Sequence, residues 1–215
     1  HRRSSAASDV YKRQELKSGL PNYAGKIGFT LSPQKPDVLY ASIELEKRNG
    51  AVYKSEDRGS TWKKMSDLSL GYGTGPHYYQ ELFASPHKFD RLYLMNVRIL
   101  TSEDGGKTFV ELTERSKHSD NHAIAFREDD PNYLLVGTDA GIYESFDLAK
   151  TWKYHKNLPI TQFYKVAVNN ACPFYHIFGG TQDNGSAGGP SRTDERQGIR
   201  NCLLYTSPSP RDNTT

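Results

Sequence analysis

The chain has 215 residues and a formal net charge of +3, with 28 basic and 25 acidic side chains. No apolar run reaches the roughly 20 residues that a membrane-spanning helix needs, which excludes such a span within this sequence. Within residues 15–201, basic and acidic side chains are equal in number. The composition therefore gives no support to a basic surface for nucleic acid or for a membrane.

Both ends read as translated sequencing adapters. Residues 9–14 (DVYKRQ) correspond to the end of a transposase library adapter, and residues 202–207 (CLLYTS) correspond to the same duplex read from its other strand. We therefore expect residues 1–14 and 202–215 to be artefacts, and residues 15–201 to be an internal segment of a longer protein. Five basic and two acidic residues lie in these ends, which leaves 23 of each and no net charge.

Removing the ends leaves a single cysteine, Cys172, beside Pro173. It cannot form a disulfide within residues 15–201, and we expect a buried, packed thiol rather than a nucleophile. No cofactor is expected.

The remaining segment contains four pairs of predicted strands. The first strands are expected at residues 27–33, 80–86, 122–128 and 164–170, and the second strands at 38–42, 91–95, 133–137 and 176–180. The turns between them are rich in Pro, Asp and Asn, as hairpin connections are. Third strands are expected at residues 51–54, 99–101 and 141–144.

A repeated turn, S-x-D-x-G-x-T-W/F, then leads into a fourth strand. It reads SEDRGSTW at 55–62, SEDGGKTF at 102–109 and SFDLAKTW at 145–152, where Ala149 replaces the glycine. The Ser and Asp oxygens can accept hydrogen bonds from turn N–H groups, and the Gly supplies a positive φ. The motif residues are Ser55, Asp57, Gly59, Trp62, Ser102, Asp104, Gly106, Phe109, Ser145, Asp147 and Trp152.

Four short strands per unit, repeating at intervals of 53, 42 and 42 residues, are typical of β-propeller blades. We predict an all-β fold, a β-propeller with about four four-stranded blades of a larger ring. The blades are expected at roughly 24–66, 78–114, 121–157 and 163–201.

The repeated turns resemble the Asp-box, or bacterial neuraminidase repeat, of sialidases, xyloglucanase-type glycosidases and sortilin-type receptor domains. Residues 157–168 (NLPITQFYKVAV) and 180–185 (GTQDNG) are similar to secreted bacterial proteins with sortilin-like Asp-box propellers. The resemblance implies an extracellular or periplasmic location and a functional face opposite the Asp-boxes. It also implies that Asp57, Asp104 and Asp147 are structural.

The face opposite the Asp-boxes should carry the loops between strands two and three and the crossings between blades. The first crossing, residues 67–79, contains His77, Tyr78 and Tyr79. Exposed aromatic side chains suit stacking against a sugar or a peptide, although Tyr78 and Tyr79 could equally begin the next strand and pack inward.

The second crossing contains His118, Asp120 and His122, a set that could ligate a metal. A hydrogen-bonded Asp120–His122 pair is the favoured interpretation, and no metal is predicted. Arg98 and Asp139 occupy the loops between strands two and three of the second and third blades.

The corresponding loop of the fourth blade is expected at residues 181–192, which include Gln182, Asp183, Asn184 and Arg192. Asp183 and Asp120 are the candidate catalytic carboxylates, although Asp183 and Asn184 could instead cap a turn. Glycoside hydrolysis normally needs two carboxyl groups roughly 5–10 Å apart. The resemblance implies that a sialidase would instead use a Tyr nucleophile and an arginine cluster, for which this face offers only Arg98 and Arg192.

Two functions therefore remain open. The first is a non-catalytic propeller that binds a glycan or polypeptide on the face opposite the Asp-boxes. Its ligand-binding candidates are His77, Tyr78, Tyr79, Arg98, His122, Asp139, Gln182 and Asn184. The second is a xyloglucanase-like glycoside hydrolase whose other carboxylate lies outside the segment. In both cases the expected partners include the remaining blades of the same chain.

Overall fold

The structure is a computed structural model that describes residues 16, 18–46, 49–69, 80–156, 158, 163–181 and 186–192. Fifteen strands occur in these residues and form four antiparallel sheets. The expected adapter-derived ends lie outside the described residues. Two compact units, residues 1–155 and 156–215, are described separately.

The first unit contains three four-stranded sheets, and in each of them every strand pairs with the next one along the chain. The first sheet contains β1 (Ile27–Leu31), β2 (Leu39–Glu44), β3 (Asn49–Ser55) and β4 (Lys63–Ser69). The second contains β5 (Leu82–Ala84), β6 (Leu92–Leu94), β7 (Leu100–Ser102) and β8 (Val110–Glu111). The third contains β9 (Asn121–Phe126), β10 (Leu134–Thr138), β11 (Gly141–Ser145) and β12 (Lys153–Tyr154). This arrangement confirms the predicted all-β fold.

Successive sheets of this unit enclose two hydrophobic cores. The first core contains Val38, Tyr40, Val52, Leu82, Leu92 and Leu94. The second contains Tyr93, Met95, Ile99, Ile124, Leu134, Val136 and Ala149. Because successive side chains of a strand point to opposite faces, Leu92 and Leu94 pack toward the first sheet, while Tyr93 and Met95 pack toward the third.

The first sheet also has a partly covered face. Ala41, Ile43, Ala51 and Tyr53 form a small core with Leu20, Leu45 and Trp62. The neighbouring residues of β1 on this face, Ile27, Phe29 and Leu31, are between 52% and 55% exposed. When the predicted first strands 27–33 and 80–86 are aligned, Phe29 corresponds to Leu82 of the second sheet. Leu82 is only 3% exposed.

The second unit contains one sheet of three described strands, β13 (Phe163–Val168), β14 (His176–Thr181) and β15 (Ser186–Pro190). An apolar hollow of about 250 Å³ lies against it and is lined mainly by Phe163, Val166, Ile177 and small residues of β15. All the side chains of this lining are apolar.

Three details differ from the sequence-based expectations. Residues 186–190 were predicted to lie in a loop, but they form β15, because small residues pair through the backbone and leave room for the Phe178 ring against Gly188. Strand β4 extends to Ser69, into the expected first crossing. The thiol of Cys172 is exposed rather than buried, because the residue lies in the solvent-facing turn between β13 and β14.

Candidate functional site

The three repeated turns share one hydrogen-bond pattern. The N–H of Gly59, Gly106 or Ala149 donates to the Ser hydroxyl four residues earlier at 2.8–2.9 Å. The Asp carboxylate accepts hydrogen bonds from the Thr N–H at 2.8–3.0 Å and from the Thr hydroxyl at 2.6–2.7 Å. The third turn is therefore complete, although its sequence lacks the glycine.

These turns bind the hairpin turns between the first and second strands of each sheet. The N–H of Arg58 donates to Asp37 O at 3.0 Å, that of Gly105 to Asp90 O at 2.9 Å, and that of Leu148 to Asn132 O at 2.9 Å. We call this side of the first unit the box edge. The opposite side, with the β6–β7 loop, the β8–β9 crossing and the β10–β11 loop, is the loop edge.

Backbone hydrogen bonds join the three segments of the loop edge. The N–H of Asp120 donates to Val97 O at 2.9 Å, and the N–H of Asp139 donates to Asp120 O at 3.3 Å. Four residues predicted as functional candidates from the sequence are brought to one edge by this chain of contacts. They are Arg98, Asp120, His122 and Asp139.

The most direct contact among these candidates joins His122 and Asp139, which are 17 positions apart. The Nε2 of His122 lies 2.7 Å from Asp139 Oδ1, and the side chains are 37% and 24% exposed. The expected partner of His122 was Asp120, and this expectation did not include the contact with Asp139. Asp120 has a φ of 60°, and the β9–β10 register shifts between Gly137 and Thr138, so His122 lies at a bulge. Bulges commonly redirect a side chain in this way.

A buried polar cluster made of Glu114, Lys117 and Asn121, the Glu114 cluster, lies beside these residues. Lys117 Nζ donates to Glu114 Oε1 at 2.6 Å and also to Asn121 Oδ1, and the Lys117 and Glu114 side chains are almost completely buried. The Asn121 amide donates to Glu114 Oε1 at 2.9 Å. Burial lowers the pKa of Lys117, although the nearby Glu114 carboxylate opposes this effect. Sequence reasoning missed this cluster, because charged residues in a crossing usually face solvent.

The Glu114 cluster contacts Arg98 as well. Arg98 NH1 lies 3.5 Å from Glu114 Oε2, and about half of the Arg98 side chain is exposed. The Asn121 amide donates to Asn96 O and Val97 O at 3.1 and 3.0 Å, so it also holds the backbone of the β6–β7 loop.

Other predicted candidates are not part of this arrangement. His77, Tyr78, Tyr79, Gln182, Asp183 and Asn184 lie outside the described residues. Arg192, expected in a loop, follows β15 and lies over the Phe174 ring at 5.6 Å, next to the β13–β14 turn. The described ranges contain no group of three or more His, Cys, Asp or Glu suited to a metal ion. Nor do they contain a helix long and apolar enough to cross a membrane.

Comparison with known proteins gives two relatives by sequence, while no protein-family model matches the chain. The chain is 28% identical over 155 residues to an oligoxyloglucan-reducing end-specific xyloglucanase of Emericella nidulans, covering 65% of this chain and 19% of that protein. It is 27% identical over 173 residues to a probable enzyme of the same description from Neosartorya fischeri, covering 73% and 21%. The chain spans about a fifth of the length of these relatives.

A solved structure resembles the chain as well. A GH74 enzyme of Niastella koreensis aligns with a TM-score of 0.50 and 16% identity, covering 71% of this chain and 26% of that one. The fold is that of a β-propeller. Together with the sequence relation to xyloglucanases, this supports a glycosyl-hydrolase-like propeller.

Proposed function

We propose that the loop edge binds a glycan, and that the chain belongs to a larger secreted Asp-box propeller whose other blades lie in the same protein. The observation that carries this proposal is the convergence of Arg98, His122 and Asp139 on one edge, opposite the Asp-box turns. Carboxylate, imidazole and guanidinium groups on a rigid scaffold suit the hydrogen-bonding pattern of sugar hydroxyls.

The choice of a glycan over a polypeptide is supported by the relatives. Both proteins related by sequence are described as acting on an oligoxyloglucan. The described part of the loop edge also presents polar groups rather than an apolar groove. Xyloglucan oligosaccharides are therefore the first ligands to test.

Binding is best tested with the protein encoded by the complete open reading frame that contains this segment. We expect Asp139→Asn and His122→Gln to weaken the binding of a xyloglucan oligosaccharide about tenfold each, which corresponds to about 1.4 kcal/mol. Asp129→Asn is a matched control, because Asp129 forms an exposed ion pair with Arg127 in a box-edge turn. Unchanged affinity in both loop-edge variants, measured by titration calorimetry, would exclude this site.

A glycoside hydrolase is the second candidate, and the xyloglucanase relatives favour it. In this version Asp120 supplies one carboxylate, and either Asp183 or a residue elsewhere in the protein supplies the other. We expect Asp120→Asn to abolish the release of reducing ends from xyloglucan while ligand binding is retained. Equal turnover by the parent protein and by Asp120→Asn and Asp183→Asn variants would remove both residues from the mechanism.

A further inference from the structure

The Glu114 cluster is connected to the loop edge by more than proximity. One carboxylate oxygen of Glu114 accepts hydrogen bonds from Lys117 and Asn121, while the other faces Arg98. Asn121 is fully buried and donates to two carbonyl groups of the β6–β7 loop. Each member of the cluster therefore has a partner inside the protein.

Burying such a cluster costs free energy, so its presence indicates that it contributes something other than stability. Moving a lysine and a glutamate out of water costs several kcal/mol per ion, and hydrophobic residues of similar volume often give equal or greater stability. At the box edge, by contrast, Lys54 and Asp90 form a 3.0 Å ion pair in which both side chains retain some exposure.

We propose that the Glu114 cluster positions Arg98 and the β6–β7 loop for ligand binding, so that Glu114 and Lys117 determine affinity without touching the ligand. This inference rests on the proposed glycan site. Glu114 limits the directions open to the Arg98 guanidinium, and Asn121 fixes the backbone that carries it. A guanidinium held in advance loses less side-chain entropy when it binds.

The test separates stability from positioning. Lys117→Met removes the buried ammonium beside Glu114 and leaves the half-exposed Arg98, 3.5 Å away, as its remaining cationic partner. We expect this change to lower both the melting temperature and the affinity for a xyloglucan oligosaccharide. In the Glu114→Gln/Lys117→Met double variant, the new amide can exchange hydrogen bonds with Asn121, so the melting temperature should recover. Arg98 then lacks its carboxylate, and we expect affinity to remain about three- to tenfold below the parent value.

Lys54→Met/Asp90→Asn is the matched control, since it removes an ion pair at the box edge. We expect it to change stability but to leave affinity unchanged. If the double variant at Glu114 and Lys117 regained parental affinity while Asp139→Asn still weakened binding, the positioning role would be wrong and the proposed function would stand.

A readout that needs no ligand keeps the two proposals separate. The N–H groups of Asp120 and Asn121 donate to Val97 O and Asn96 O. We expect these two amides to exchange hydrogen faster in Lys117→Met than in the parent protein, and to remain protected in the Lys54→Met/Asp90→Asn control. Unchanged protection in Lys117→Met would overturn the positioning role even if no glycan bound to the parent.

Discussion

The backbone N–H of Ala149 donates a 2.9 Å hydrogen bond to the hydroxyl of Ser145, although Ala149 has a φ of 69°. The glycines at the same place in the other turns have φ values of 86° and 90°. Because non-glycine residues rarely adopt such angles, the network of Ser145 and Asp147 must compensate for backbone strain of about 1 kcal/mol.

Glycine should therefore be essential in one turn and dispensable in another. A Cβ atom at Gly106 would lie 2.6 Å from Val52 Cγ1, inside the first core. We expect Gly106→Ala to cost about 2–4 kcal/mol of unfolding free energy. Ala149→Gly should be close to neutral, because the strain relief is offset by the loss of a buried methyl group worth about 0.8 kcal/mol. Urea unfolding measures both, and a neutral Gly106→Ala would contradict this account.

The aspartates of the repeated turns should make stability dependent on acid pH. Burial raises the pKa of Asp104, but hydrogen bonds from Thr108, Ser102 and the Lys107 N–H outweigh it and lower the pKa to about 2. The ordinary pKa of an aspartate is about 3.9. A lowered folded pKa means that this contribution to stability is present above about pH 4 and is lost as the pH falls toward 2.

We expect Asp104→Asn to flatten the dependence of unfolding free energy on pH between about 4 and 2. Thr108→Val removes one of the donors, so it should reduce the slope by a smaller amount. Denaturant unfolding at several pH values measures the slopes. A slope unchanged from the parent in Asp104→Asn would show that other groups control the acid transition.

Gln80 and Asn121 occupy similar positions at the loop edge but differ in their hydrogen bonds. Both are buried, yet neither amide atom of Gln80 has a partner among the described residues, whereas Asn121 is fully paired. A buried unpaired amide costs about 1–3 kcal/mol. We expect Gln80→Met to raise the unfolding free energy by about 1 kcal/mol and Asn121→Leu to lower it by about 2–4 kcal/mol. Destabilisation by Gln80→Met would indicate a partner for this amide.

The exposed side of β1 should govern association. Ile27, Phe29 and Leu31 form an apolar row on one face of an edge strand, a typical surface for self-association. We expect the triple change to threonine to increase the monomeric fraction of the 215-residue chain in light scattering, without changing its circular dichroism. Leu82→Ala, at the buried position corresponding to Phe29, should instead cost about 2–5 kcal/mol.

The fold could be predicted from the sequence because its signals are local and repeated. A Ser–Asp–Gly–Thr turn defines its own hydrogen bonds, and the uninterrupted apolar residues of β6 indicate a strand covered on both faces. Prediction was wrong for residues 186–190, where glycine and alanine suggested a loop. A strand of small residues is defined by its neighbours rather than by its own sequence.

The candidate site could be predicted only in part. Strand order alone assigns Arg98, Asp120 and Asp139 to one edge. The pairing of His122 with Asp139 depends on a bulge, and the burial of Lys117 depends on the packing of two sheets. Neither property leaves a signal in the spacing of residues along the chain.

The main-chain bonds at the box edge, such as Arg58 N–H to Asp37 O, have a practical consequence for engineering. No side chain of Arg98, His122 or Asp139 takes part in the hydrogen bonds described for that edge. A library that randomises these three positions would therefore leave the turns that close each blade unchanged. The propeller could then serve as a frame from which binders for chosen oligosaccharides are selected.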